Sequence, residues 1–141
     1  MDLRDEDFFK ELLKIFQMET KEHIQEMLTG IHELELHQAT DKQFEIAETI
    51  HRAAHSMKGA ARTIGLSEVE PSCQALETVF NSLKRQKVSI PTELIGMFDK
   101  AIRNLDALLD TLNEEGKVTG DRTEINRLIE EIQNKMSIIT K

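Results

Sequence analysis

A chain of 141 residues with 39% hydrophobic and 31% charged side chains has the size of one domain and enough apolar material for one core. Its net charge of −8 repels phosphate backbones and argues against nucleic-acid binding, and its one cysteine excludes an internal disulfide and points to the cytosol. The acidic start Met1-Asp2-Leu3-Arg4-Asp5-Glu6-Asp7 does not read as a signal peptide, and no stretch has the length and apolarity of a membrane span.

Trp and Tyr are absent, and the bias toward Leu, Ile, Met, Ala, Glu, Lys and Gln is helical. Five helical segments are predicted. The first covers about residues 5–36, where Phe9, Leu12, Phe16, Ile24, Met27, Ile31 and Leu34 recur at mostly three- and four-residue steps and form one stripe. A polar connector, Gln38-Ala39-Thr40-Asp41, follows. The second covers about residues 42–64, with the stripe Phe44, Ala47, Ile50, Ala54, Met57, Ala61 and Ile64. Gly65 sits where a helix end favours positive φ. Ser67-Glu68-Val69-Glu70 matches a capping box for the third segment, about residues 68–87, whose stripe is Val69, Cys73, Leu76, Phe80 and Leu83. Pro91 opens the fourth, about residues 91–115, with Leu94, Phe98, Ile102, Leu105, Leu108, Leu109 and Leu112 facing inward and Gly116 as its stop. Asp121 and Glu124 mark the start of the fifth, about residues 122–140, whose stripe of Ile125, Leu128, Ile129, Ile132, Met136 and Ile139 suits either this bundle or a partner chain. Helices of this length on short loops pack as antiparallel neighbours, so the expected fold is all-α: an up-down four-helix bundle plus a C-terminal fifth helix. Nothing marks Lys141 as a natural stop, and the chain is expected to be one piece of a longer protein.

The informative face is the wet side of the second helix. At about 100° per residue, Ala54, Met57, Ile50, Ala61 and Ile64 lie opposite His55, while Glu48, His51, Arg62, Lys58 and Gly59 lie on its side. A mid-helix histidine turned to water has no packing task, and its neighbours favour chemistry. Lys58 and Arg62 project along the same side and suit the charge of a phosphorylated imidazole. Gly59 costs roughly 1 kcal/mol relative to Ala in a helix, so its presence asks for a reason; with Ser56, Ala60 and Thr63 it leaves a shallow surface for a second protein. Imidazole is neutral and nucleophilic near neutral pH, and one ring nitrogen can attack while a carboxylate holds the other. Glu77, in register with Glu70 and Lys84 at the edge of the third helix, is the candidate carboxylate.

The run His55-Ser56-Met57-Lys58-Gly59-Ala60-Ala61-Arg62-Thr63-Ile64-Gly65-Leu66 resembles the signature of histidine phosphotransfer (HPt) domains, His-x-x-Lys-Gly with a second glycine six residues on. The flanking Arg52-Ala53-Ala54 and the Thr63-Ile64-Gly65-Leu66 ending resemble the subgroup at the start of CheA-like chemotaxis kinases. The resemblance implies that His55 is phosphorylated, that Lys58 stabilises the phosphate and that Glu77 hydrogen-bonds the imidazole. His51, Gly59, Arg62 and Gln74 would belong to the surrounding partner and phosphate surface. The subgroup often has a second histidine at the position held here by Gln74, which cannot share proton chemistry. The resemblance further implies two partners: a kinase ATP-binding domain that loads the ring nitrogen distal to the backbone, and a response-regulator receiver domain whose Asp unloads it. The domain is then a carrier and substrate with no cofactor of its own. ATP and Mg²⁺ belong to the kinase domain and Mg²⁺ also to the regulator; the domain is monomeric, the parent a dimeric cytoplasmic kinase.

Other readings carry less. A stand-alone relay protein would share the chemistry, and a helical interaction module would share only the fold. His51 and His55 are four residues apart, as metal ligands often are, but a di-metal bundle needs two Glu-x-x-His motifs facing inward, and Glu48 with His51 supplies one, facing out. No metal is expected. His23, His32 and His37 read as surface or core-edge residues, and Cys73 as a buried structural thiol.

Overall fold

A computed structural model describes residues 3–37, 39–85 and 89–139. It contains α1 (Leu3–Leu36), α2 (Thr40–Thr63), α3 (Glu70–Leu83), α4 (Thr92–Leu109) and α5 (Thr123–Ile139). The expected architecture is present: α1 packs on α2 and α4, α2 packs on α3, and α5 lies against both α3 and α4. The apolar stripes meet in one core that includes Ile24, Met27, Ile50, Met57, Leu76, Phe80, Phe98 and Ile102. Phe80 of α3 and Phe98 of α4 touch at its centre, ring centroids 4.8 Å apart. Truncating either to Ala would cost about 3–5 kcal/mol. The stripe of α5 closes on this bundle, with Ile125, Leu128, Ile132 and Met136 buried.

The end of α2 follows its sequence. Gly65 takes φ 77°, Leu66 N–H donates to Ala61 O at 2.9 Å and Gly65 N–H to Arg62 O at 3.2 Å, which together make a Schellman cap. The start of α3 does not. The helix begins at Glu70 rather than residue 68, Val69 is its N-cap, and no side chain caps it. Leu66 O takes the Val69 and Glu70 N–H groups, each at 3.1 Å, so a backbone carbonyl does what Ser67 was expected to do. Glu70 turns instead to Arg62. The helix ends at Leu83; Gln86 and Lys87, placed in it by periodicity, lie outside the described residues.

Further corrections concern polar structure that periodicity does not show. Thr40 and Asp41, read as connector, already belong to α2; Gln38 of that connector lies outside the described residues. Phe44, placed in the core, is 47% exposed, and its neighbour Gln43 is 2% exposed. Gln43 Nε2 donates to His37 O and its Oε1 accepts from Ile90 N–H, both at 2.9 Å. A polar side chain used at both ends thus ties the end of α1 to the segment before α4. In α1 the stripe runs through Leu13 rather than Leu12. α4 stops at Leu109 instead of residue 115 because the chain turns back on itself: Leu112 bridges Val118, and Asn113 N–H donates to Lys117 O at 2.9 Å. Gly116, expected as a helix stop, lies in this turn at φ 78°, and a Cβ there would stand 2.7 Å from Leu66 and 2.9 Å from Phe9. Asp121 Oδ1 accepts from Thr123 N–H at 2.9 Å at the start of α5, while Glu124 pairs with Arg127. Thr140 lies outside the described residues.

Candidate functional site

α2 and α3 run side by side, and their shared edge carries charged side chains at steps that keep them on one face. On α3 and its C-cap the positions are Glu70, Glu77 and Lys84, two turns apart. Each meets α2. Glu70 takes Arg62 Nη2 at 2.6 Å, Glu77 takes His55 and Lys58, and Lys84 Nζ takes Glu48 Oε2 at 2.9 Å.

His55 stands in the middle of this edge, its side chain 64% exposed as the wet-face placement requires. Its Nδ1 lies 3.0 Å from Glu77 Oε1. A carboxylate only accepts, so Nδ1 carries the proton and Nε2 keeps its lone pair. Glu77 is 15% exposed, and its other oxygen lies 2.6 Å from Lys58 Nζ. Burial alone would raise the Glu77 pKa, but the contacts with Lys58 and His55 outweigh it and hold the carboxyl below its ordinary range. The base of the site is therefore a fixed anion that orients the imidazole, and that anion is itself held by a cation.

Lys58, read from the sequence as a phosphate contact, directs its ammonium inward to Glu77 with a side chain 13% exposed. Arg62 is drawn along the seam to Glu70. Gln74 is exposed and donates to Thr78 Oγ1 at 3.0 Å, along its own helix. A Cβ on Gly59 would meet nothing within 4 Å, so internal packing does not require the glycine. His51 is half-buried beside His55, ring centroids 6.5 Å apart, with its Nδ1 3.4 Å from Lys84 Nζ. Burial, and then the Lys84 charge, lower its pKa. The Glu48–Lys84–His51 chain was not foreseen; the seven-residue step from Glu77 to Lys84 was the signal that could have found it. Among the described residues no group of three His, Cys, Asp or Glu is placed to hold a metal ion, and no helix is long and apolar enough to cross a membrane.

The chain as a whole has counterparts in known proteins. The Hpt domain family matches residues 11–135. The chain belongs to the Hpt domain family. Domains of this family carry phosphoryl groups and are not catalysts by themselves. The chain is similar to the gliding motility regulatory protein of Myxococcus xanthus, at 33% identity over 89% of this chain. It is also similar to chemotaxis protein CheA of Bacillus subtilis, at 24% identity over 81% of this chain. It spans only 16% of the length of either relative. The phosphorylated P1 domain of CheA3 from R. sphaeroides, solved in complex with CheY6, has the same fold: TM-score 0.76 at 19% identity, covering 91% of this chain and 97% of that one.

Proposed function

We propose that this chain is the phosphotransfer domain of a CheA-like histidine kinase and that His55 Nε2 carries the phosphoryl group. One observation supports this above others: an imidazole 64% exposed, with Nδ1 held 3.0 Å from Glu77 and the distal nitrogen left as the nucleophile. In the loading step the Nε2 lone pair attacks the γ-phosphorus of ATP on the kinase domain. The N–P bond forms, the bond to the β,γ-bridging oxygen breaks, and ADP leaves. Positive charge develops on the ring, and Glu77 stabilises it through the Nδ1 proton, as a carboxylate does for histidine elsewhere. In the unloading step an Asp oxygen of a receiver domain attacks phosphorus, the P–N bond breaks, and Nε2 recovers its lone pair.

Lys58 fixes Glu77 and supplies positive charge beside the phosphoryl group. Gly59 with its small neighbours admits the partner's active site, and His51, Arg62 and Gln74 border that surface. ATP and Mg²⁺ are brought by the kinase domain, and Mg²⁺ at the unloading step by the receiver. The domain works as a monomer within a dimeric cytoplasmic parent, and the CheA and CheY6 named among its likenesses indicate the class of parent and acceptor.

The test is incubation with the parent's ATP-binding domain and γ-labelled ATP. A base-stable, acid-labile label should appear on the wild-type chain and vanish in His55→Gln, whose circular dichroism stays unchanged. Full labelling of folded His55→Gln would remove His55 from the role.

A further inference from the structure

His51 lies one turn before His55 on α2, and the two rings are nearly parallel, 25° apart in plane and 6.5 Å apart in centroid. Both turn Nδ1 toward α3, where they meet groups of opposite character. His55 Nδ1 faces the Glu77 carboxylate at 3.0 Å. His51 Nδ1 faces the Lys84 ammonium at 3.4 Å. An ammonium has no lone pair and can only donate. His51 Nδ1 must therefore accept, which places the proton of the neutral ring on Nε2. Glu48, 2.9 Å from Lys84 Nζ, holds that ammonium in place. The lowered pKa of His51, from burial and from Lys84, agrees with a neutral ring.

The two imidazoles thus hold complementary tautomers. One presents a bare distal nitrogen, and the other presents a distal N–H one helical turn away. The 6.5 Å between the ring centroids leaves room between them for the oxygens of a phosphoryl group carried on His55 Nε2.

We propose that His51 is a phosphoryl-binding residue: its Nε2–H, set by Lys84 and Glu48, donates to an oxygen of the phosphoryl group on His55. The inference rests on His55 being the acceptor. It assigns a second residue, outside the Lys58–Glu77 pair, to holding the phosphoryl group between loading and unloading. The donor is neutral, so it orients the group without clamping it by charge.

Two measurements test this. Long-range ¹H–¹⁵N NMR of the labelled chain above neutral pH should show His55 protonated on Nδ1 and His51 on Nε2; His51 protonated on Nδ1 would overturn the proposal. After loading by the kinase domain and ATP, His51→Phe, which keeps the ring but not the donor, should lose its phosphoryl group about fivefold faster than wild type, the effect of one partly solvated hydrogen bond. Its ³¹P resonance should titrate at higher pH, because a donor favours the phosphoryl dianion. His51→Gln, which retains a distal N–H, should restore both properties. Equal lifetimes and ³¹P titrations in wild type and folded His51→Phe would overturn the proposal while leaving His55 as acceptor. A wild-type chain that takes no label would remove the acceptor reading itself, and this inference with it.

Discussion

Glu77→Ala separates orienting an imidazole from holding a fold. The carboxylate accepts from His55 Nδ1 at 3.0 Å and faces Lys58 Nζ at 2.6 Å. A hydrogen bond to a charged group is worth about 1.5–3 kcal/mol. The His55 side chain is 64% exposed, so water competes, and about 1–2 kcal/mol is the appropriate share. At about 1.4 kcal/mol per factor of ten, loading should slow about five- to thirtyfold. The cost in stability is smaller, because Lys58 can extend its ammonium to water. A partly exposed ion pair contributes about 1 kcal/mol or less, or about 2–4 °C in Tm for a domain of this size. Initial rates of labelling across domain concentrations, alongside thermal melts by circular dichroism, read the two effects separately. Glu77→Gln should fall between, since its amide oxygen still accepts while its NH₂ faces Lys58. A folded Glu77→Ala domain labelled within about twofold of wild type would refute the orienting role. The pH dependence has a defined sign. The Glu77 pKa is lowered from 4.5, so its contribution to stability is fully present above 4.5 and is lost as the pH falls through its folded value.

Three further substitutions and one reaction test the surroundings. Gly59→Ala should raise Tm by about 2 °C, because a Cβ there meets nothing within 4 Å and helix propensity improves by about 0.5–1 kcal/mol. Gly59→Met should instead slow loading about tenfold with no loss of Tm, by keeping the partner's active site away from the imidazole; an unchanged rate would mean that this surface is not approached closely. Gln43→Leu should lower stability by about 1–3 kcal/mol in denaturant titrations, by leaving Ile90 N–H and His37 O without their partner, and should not alter labelling. Cys73 is fully buried and its thiol is pushed up to about 12, so Ellman's reagent should react only after unfolding. Rapid reaction in native buffer would contradict that burial.

The helical period was enough to turn His55 outward and to place Cys73, Leu76, Phe80 and Leu83 in the core, because packing of an apolar stripe dominates the orientation of a helix. It failed at Gln43 and Phe44, where a polar side chain takes the inner position. A periodicity count scores an amide as surface and cannot see that its carbonyl and NH₂ both find backbone partners, at Ile90 and His37, outside its own helix. It failed again beyond Leu109, where Leu112 continues the stripe but joins Val118 in a turn. The site was legible in its members and less so in its connections. Lys58 and Arg62 share the His55 side of α2, and from that helix alone both read as phosphate contacts. Their carboxylate partners, Glu77 and Glu70, sit on α3, and the pairing depends on how the two helices meet.

That pairing bears on why such a domain is a carrier. Lys58, Arg62 and Lys84, the cations along this seam, are each matched by Glu77, Glu70 and Glu48. The surface around His55 is close to neutral, on a chain whose net charge is −8. A phosphoryl group on Nε2 adds up to two negative charges, and among the described residues each cation along this seam, Lys58 included, already shares its charge with a carboxylate, so none holds the group tightly. On the proposed reading, the charge that develops while phosphorus passes between oxygen and nitrogen is therefore neutralised largely by the partner, with Lys58 adding a smaller share. Catalysis then resides in the domains that dock, and the transfer remains reversible. The ion pairs of the seam need not hold the helices together for this. Met57, Ala61, Leu76 and Phe80 are buried behind them, and at about 25 cal/mol per Å² of apolar surface that burial outweighs exposed ion pairs worth about 0–1 kcal/mol each. On the proposed reading, the charges can rearrange around a loaded imidazole while the scaffold stays fixed, so that partners for loading and unloading would meet the same rigid face.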